Sequence, residues 1–212
     1  MNRTRIEWCD FTWNPIVGCK RGCSYCYARK IRQRFHPELP FEKIKYYPER
    51  LNQPYELKKP SRIFVGSMSD IEYWNKDWII NILFIINKCP QHTFMFLTKN
   101  SEVYAKYDFP KNCWLGQTII KNTDYKKIIN NNLNFISFEP LLDNDIGDYY
   151  LSADWYIIGG LTPKGAHTEQ GVYKILEQAN RFGVPVFIKE NAHYPKNINQ
   201  FPKVNPPTQE IK

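Results

Sequence analysis

Short apolar stretches punctuate the chain at 12–17 (TWNPIV), 62–67 (RIFVGS), 93–98 (TFMFLT), 113–118 (CWLGQT), 133–138 (LNFISF), 154–159 (DWYIIG) and 184–189 (VPVFIK). From the second onward their starts lie about 20 to 30 residues apart, the spacing of strand–helix units in a parallel sheet. Their apolar runs are near-continuous, as in strands covered on both faces. The expected class is therefore α/β with parallel strands.

The segments between them support this reading. Residues 75–88 put Trp78, Ile79, Ile82, Leu83 and Ile86 on one helical stripe, with Lys76, Asp77 and Asn81 facing out. Residues 169–182 repeat the pattern with Val172, Ile175, Leu176, Ala179 and Phe182, between a Thr168 N-cap and a Gly183/Pro185 stop. Shorter helices are expected at 26–35 and 123–130. Two stretches depart from the alternation: 36–61, rich in proline, lysine and tyrosine, reads as a surface excursion, and the chain from Pro195 onward reads as an extended tail. One domain over residues 1–195 and a tail over 196–212 follow.

The 212 residues suffice for a substantial single core, with 42% hydrophobic and 16% aromatic content. No run approaches the ~20 apolar residues of a membrane helix, and the polar start MNRTRIEWCD lacks a signal-peptide core. A cytoplasmic protein without a membrane is expected. The net charge of +8, densest over Lys20–Arg34 and Lys121–Lys127, suits a polyanionic partner or simply a basic surface.

Chemistry concentrates in WNPIVGCKRGCSYCY, residues 13–27. Cys19, Cys23 and Cys26 are three soft ligands on a loop that Gly18 and Gly22 allow to fold back on itself. Structural zinc is closed by four ligands, whereas three thiolates hold three irons of a 4Fe-4S cube and leave the fourth open. A partial zinc site completed by Cys9 or a distant histidine is the competing reading. Cys9, Cys89 and Cys113 are isolated and read as reduced thiols.

The Cys-x3-Cys-x2-Cys spacing with Tyr25 before the last cysteine resembles the signature of the radical S-adenosylmethionine (SAM) enzymes. IEWCDFTWNPIVGC, FVGSMSD, FLTK, WLGQT, SFEPLL and IIGG, in that order, resemble a phage-associated family of small radical-SAM-like proteins. They are similar, more distantly, to the spore photoproduct lyases. The resemblance covers about residues 5 to 190 and implies an incomplete (β/α)6-type TIM barrel. It also implies a 4Fe-4S cluster, SAM chelated at the open iron beside Tyr25, and a one-electron donor such as flavodoxin or ferredoxin. Reductive cleavage of SAM to a 5'-deoxyadenosyl radical is the activity it implies.

In such a barrel the site lies at the carboxyl ends of the strands. The exits here carry Gly66-Ser67-Met68-Ser69-Asp70, Thr98-Lys99, Gln117-Thr118, Glu139-Pro140, Gly159-Gly160 and Lys189-Glu190. Gly66, Gly159 and Gly160 are expected to let backbone approach the cofactor, as the superfamily's glycine motif does. Ser67 and Gln117 suit ribose hydroxyls, and Lys99 suits the methionine carboxylate. Glu139 is either a substrate or proton contact, or an ion-pair anchor for Lys189 or Lys99; Asp70 is either a ligand or a turn cap. The 160–167 loop departs from the family pattern, and His167 is either a substrate contact or exposed.

A photoproduct-lyase reaction draws on a nearby cysteine hydrogen donor, and only Cys9 is placed to reach. Three functions stand: radical SAM modification or repair of nucleic acid or a nucleotide, the same chemistry on a small metabolite or peptide, and a non-enzymatic metal-stapled nucleic-acid binder.

Overall fold

The computed structural model of the chain describes residues 1–121, 124–144, 146, 152–161 and 167–203. Among these residues ten strands form: β1 (Asn2–Arg3), β2 (Phe11–Trp13), β3 (Ile16–Val17), β4 (Lys45–Tyr46), β5 (Arg62–Val65), β6 (Thr93–Thr98), β7 (Cys113–Thr118), β8 (Leu133–Phe138), β9 (Trp155–Ile158) and β10 (Val186–Ile188). The described residues also hold three α-helices, α1 (Tyr27–Phe35), α2 (Lys76–Asn87) and α3 (Glu169–Phe182), and several short 3-10 turns. Eight strands make one sheet in the order β1-β2-β5-β6-β7-β8-β9-β10, parallel throughout except for the β1–β2 pair. The sheet is mixed and not closed, since β1 and β10 are its two ends.

The sequence pattern accounts for the layers. Successive side chains on a strand face opposite ways. One face carries Phe64, Met95, Trp114, Phe135, Trp155, Ile157 and Phe187, and the N-terminal segment inserts Trp8 and Cys9 among them. On the other face Ile63, Val65, Phe94, Phe96 and Leu115 pack with Ile79, Ile82, Ile85 and Ile86 of α2. Further along that face, Ile136, Phe138, Tyr156, Ile158, Val186 and Ile188 pack with Val172, Ile175 and Ala179 of α3. Both faces are covered, which is why the strands lack polar alternation.

Four expectations change on folding. The first strand breaks into β2 and β3 at Asn14-Pro15, because Pro15 has no N–H for a ladder and the Asn14 side chain bonds Ser67 and Met68 instead. No helix forms over 125–129. The Gln117 amide donates to the Asp124 carbonyl and accepts from the Lys126 N–H, so the loop is held by a side chain rather than by helical bonds. The 36–61 stretch is more than surface. β4 pairs with β3, Tyr47 N–H donates to the Pro15 carbonyl, and buried Phe41 offers its carbonyl to the Cys19 N–H at 2.9 Å.

The tail is extended as expected but docks. Ile188 N–H donates to Ile198 and Gln200 N–H to Val186, covering the β10 edge. Phe201 packs 5.1 Å from the Trp155 ring, and the Arg62 guanidinium lies 4.1 Å from the Phe201 centroid. Residues 204–212 lie outside the described chain. The Glu7 carboxylate accepts the Glu190 N–H, tying the β1–β2 connection to the segment after β10.

Candidate functional site

A cavity of about 500 Å³ opens where the parallel strands end. Cys19, Cys23 and Cys26 all line it, from the loop after β3. Other contributions come from Gly66 and Ser67 after β5, Thr98 and Lys99 at the end of β6, Thr118 of β7, Glu139 and Pro140 after β8, Gly160 and Leu161 after β9, and Lys189 after β10. Thr4 to Trp8 complete one wall.

The cysteine loop is built by backbone. Gly18 N–H donates to Met68 at 3.0 Å, and the Ser69 hydroxyl, itself receiving the Trp74 indole N–H at 2.8 Å, donates to the Gly18 carbonyl at 2.5 Å. Gly18 has φ of +113°, and a Cβ there would stand 2.8 Å from the Phe41 carbonyl oxygen and 2.9 Å from the Ile44 Cα. Only glycine fits. Cys26 caps α1, its Sγ accepting the Arg29 N–H at 3.4 Å. Burial pushes the Cys19 thiol up to about 11 against the lowering bond from the Arg21 backbone, so the metal-free thiol is protonated at neutral pH.

Among the described residues no group of three or more His, Cys, Asp and Glu could hold a metal ion. The three thiols share one cavity without closing on a single-ion point, whereas thiolates around one zinc sit about 2.3 Å from a common centre. The three soft sulfurs that line the cavity are the donor type used by both zinc and iron–sulfur centres.

Lys99 lies beside Tyr25, its Nζ 5.5 Å from the ring centroid. Burial lowers its pKa, against the raising influence of Cys23 and Asp70, and no carboxylate among the described residues forms an ion pair with it. Burial, then the neighbouring Cys23 sulfur, raises the Tyr25 phenol. Asp70 is a turn cap, accepting from the Glu72 N–H at 3.0 Å and the Thr98 hydroxyl at 2.6 Å. Glu72 pairs with Arg21 and receives the Asn100 amide at 3.1 Å, and these bonds outweigh burial to lower its carboxyl.

Glu139 forms an ion pair with Lys189 at the cavity wall. Ser67 faces the cavity while exchanging hydrogen bonds with Asn14, at 3.0 and 3.2 Å. Two expected contacts are displaced. Gln117 is fully buried with its amide committed to the 124–126 loop, and its neighbour Thr118 reaches the cavity instead. Gly159 sits behind the wall, where a Cβ would meet Lys189 Cδ at 3.0 Å and Glu139 Cδ at 3.2 Å; it makes room for the ion pair, and Gly160 lines the cavity.

Cys9 packs on the sheet face that carries Phe64 and Trp155, its thiol pushed up to about 12 by burial, and Cys89 and Cys113 lie in the α2-side core. None of the three lines the cavity. Residues 162–166 lie outside the described chain, and His167 stands 6.3 Å from the His193 ring.

Sequence reasoning missed Tyr27, Asn14 and Asn191. The Tyr27 hydroxyl donates to the Ser67 carbonyl at 2.6 Å. Its position one residue beyond the last cysteine was the available signal. Asn191 grips Gly160, donating to its carbonyl at 2.8 Å and accepting its N–H at 3.2 Å. Asparagines after strands look like turn residues, and nothing local marks these two.

No curated protein and no solved structure matches the chain. A family model described as "Protein of unknown function (DUF5131)" matches residues 3–206. That match spans nearly the whole chain, and the protein belongs to the DUF5131 family.

Proposed function

We propose that the chain is a radical SAM enzyme on an incomplete (β/α)6-type TIM barrel, with nucleic acid or a nucleotide as substrate. The observation that carries the reading is the convergence on one cavity at the strand ends of Cys19, Cys23 and Cys26 with Lys99, which has no ion-pair partner among the described residues. Its volume, about 500 Å³, lies in the range of roughly 300–1,000 Å³ that holds cofactors of nucleotide size.

The three cysteines would hold a 4Fe-4S cluster, and Lys99 would meet the carboxylate of SAM with Tyr25 alongside. When bound, that pair supplies one-electron chemistry able to take a hydrogen atom from an unreactive C–H bond. The chain's own residues do the rest. Lys99 neutralises an anionic group in a partly desolvated pocket, where the interaction is stronger than in water. Ser67 and Thr118 offer hydroxyls for polar ligand groups. The Lys189 partner holds the Glu139 carboxylate at the wall, where it can contact substrate. Tyr27 ties the first turn of α1 to the β5 exit, fixing the cysteine loop against the strand.

The test is anaerobic reconstitution with iron and sulfide, then dithionite and SAM, with chromatography for 5'-deoxyadenosine. Formation of that product, lost in Cys23→Ala, is the expected result. Stoichiometric zinc in place of a visible sulfur-to-iron absorption band would overturn the proposal and leave the metal-stapled binder.

A further inference from the structure

The first helix starts at the cavity wall and leaves it as a face that no other described residue covers. α1 reads YARKIRQRF, with Cys26 as its cap, four cations and no carboxylate. Two of the cations are spent internally: Arg29 pairs with Glu42 at 3.1 Å, and buried Arg32 donates to the Leu39 carbonyl at 3.4 Å. Lys30 and Arg34 are exposed, and no carboxylate among the described residues pairs with either.

Between them runs an apolar stripe at i, i+4 and i+8. Tyr27 is 42% exposed, Ile31 43% and Phe35 64%, and the Arg34 guanidinium lies 5.4 Å from the Phe35 centroid. At 1.5 Å per residue the stripe runs about 12 Å, from a phenol in the cavity wall to a ring in open solvent. Uncovered aromatic rings flanked by unneutralised cations have the composition of a single-strand platform, in which phosphates meet the cations and bases stack on the rings. The chain's +8 charge acts in the same sense. A duplex would not bring a base to the cavity, because a base buried in the stack must first be extruded.

We infer that the exposed face of α1, carrying Lys30, Ile31, Arg34 and Phe35, docks a single-stranded nucleic acid and leads it past Tyr27 to the cavity. This deepens the reading of the site by naming its substrate class, and rests on that reading only for what happens after docking.

The experiment is fluorescence anisotropy of the as-isolated protein with a labelled oligothymidylate of about 12 nucleotides, over a salt series. Lys30→Ala with Arg34→Ala should weaken binding and reduce the magnitude of the log K against log salt slope by about 1.4, about 0.7 for each phosphate contact on a single strand. Phe35→Ala should weaken binding about 5- to 150-fold with the slope unchanged, and Phe35→Trp should restore it. Unchanged melting temperatures would show that these exposed substitutions leave the fold intact.

Affinity indifferent to all of these variants overturns the inference. So does oligonucleotide affinity unchanged while binding of reduced ferredoxin is lost, which would make α1 a donor-docking face. Dithionite-driven 5'-deoxyadenosine formation serves as the separate readout and should be the same in these variants as in the unaltered protein. If no 5'-deoxyadenosine forms at all but the anisotropy pattern holds, the radical reading fails and the docking face stands.

Discussion

Two glycines of the cysteine loop share a positive φ but not a neighbourhood. At Gly22, φ is +76° and nothing lies within 4 Å of a built Cβ, whereas at Gly18 a Cβ would meet backbone atoms at 2.8 to 3.0 Å. Gly22→Asn should therefore cost at most about 1 kcal/mol, since asparagine tolerates the left-handed region. Gly18→Asn should cost about 3 kcal/mol or more and lower iron uptake on reconstitution, because the Phe41 and Ile44 backbone must move. Urea unfolding of the two variants reads the difference; equal costs would mean that the 36–61 stretch does not buttress the loop.

Lys99 illustrates a site residue held at the expense of stability. Its folded pKa is lowered by burial, so between that value and its ordinary 10.5 the unfolded chain holds more protons, and stability rises with pH across that window. Lys99→Met removes the buried charge. The variant should melt higher at neutral pH yet bind SAM more weakly, as thermal unfolding and equilibrium dialysis would show. A variant that melts lower would make Lys99 a structural residue.

At the scale of elements, α1 and the cysteine loop are one device, because Cys26 is both the last thiol of the triad and the helix N-cap. The cap role and the proposed ligand role separate by substitution. Cys26→Ser keeps an oxygen that accepts the Arg29 N–H but loses the soft ligand, while Cys26→Ala loses both. In the metal-free protein the alanine variant should be about 1 kcal/mol less stable than the serine variant, and both should fail to assemble the cluster. Equal stability would show that the cap contributes nothing. The same cap logic was legible at α2 and α3, where Asn75 accepts from Asp77 N–H and Thr168 from Gly171 N–H, and where Gly183 ends α3 at φ +67°. It was not legible at 123–130, whose polar, β-branched composition allowed a helix but whose backbone is held by Gln117 from a neighbouring strand.

For the molecule as a whole, His92 gives a pH signature. It is 1% exposed at the start of β6, and burial lowers its pKa below the ordinary 6.5 despite bonds to the Pro54 and Leu57 backbone. The unfolded chain therefore takes up a proton that the folded one resists. Stability from neutral His92 is complete above 6.5 and is lost as pH falls below it. Urea midpoints should fall between about pH 7 and about pH 5, and fall less in His92→Gln. A parallel decline in both would assign the acid sensitivity to other groups.

What the sequence alone determined was whatever local chemistry dictates. Near-continuous apolar runs placed six of the seven expected strands within about two residues, because burial on both faces leaves no other reading for them. The 3.6-residue stripe with its caps set α2 and α3, and the cysteine spacing picked out a loop that lines the cavity. What only the tertiary structure decided was which strand-end groups face the cavity. Side chains alternate across a strand, so one residue separates Thr118, which lines the cavity, from Gln117, which supports a loop. Lys189, Asn14 and the 36–61 stretch acquire their roles from partners dozens of residues away, and those long-range contacts exist only once the sheet has assembled.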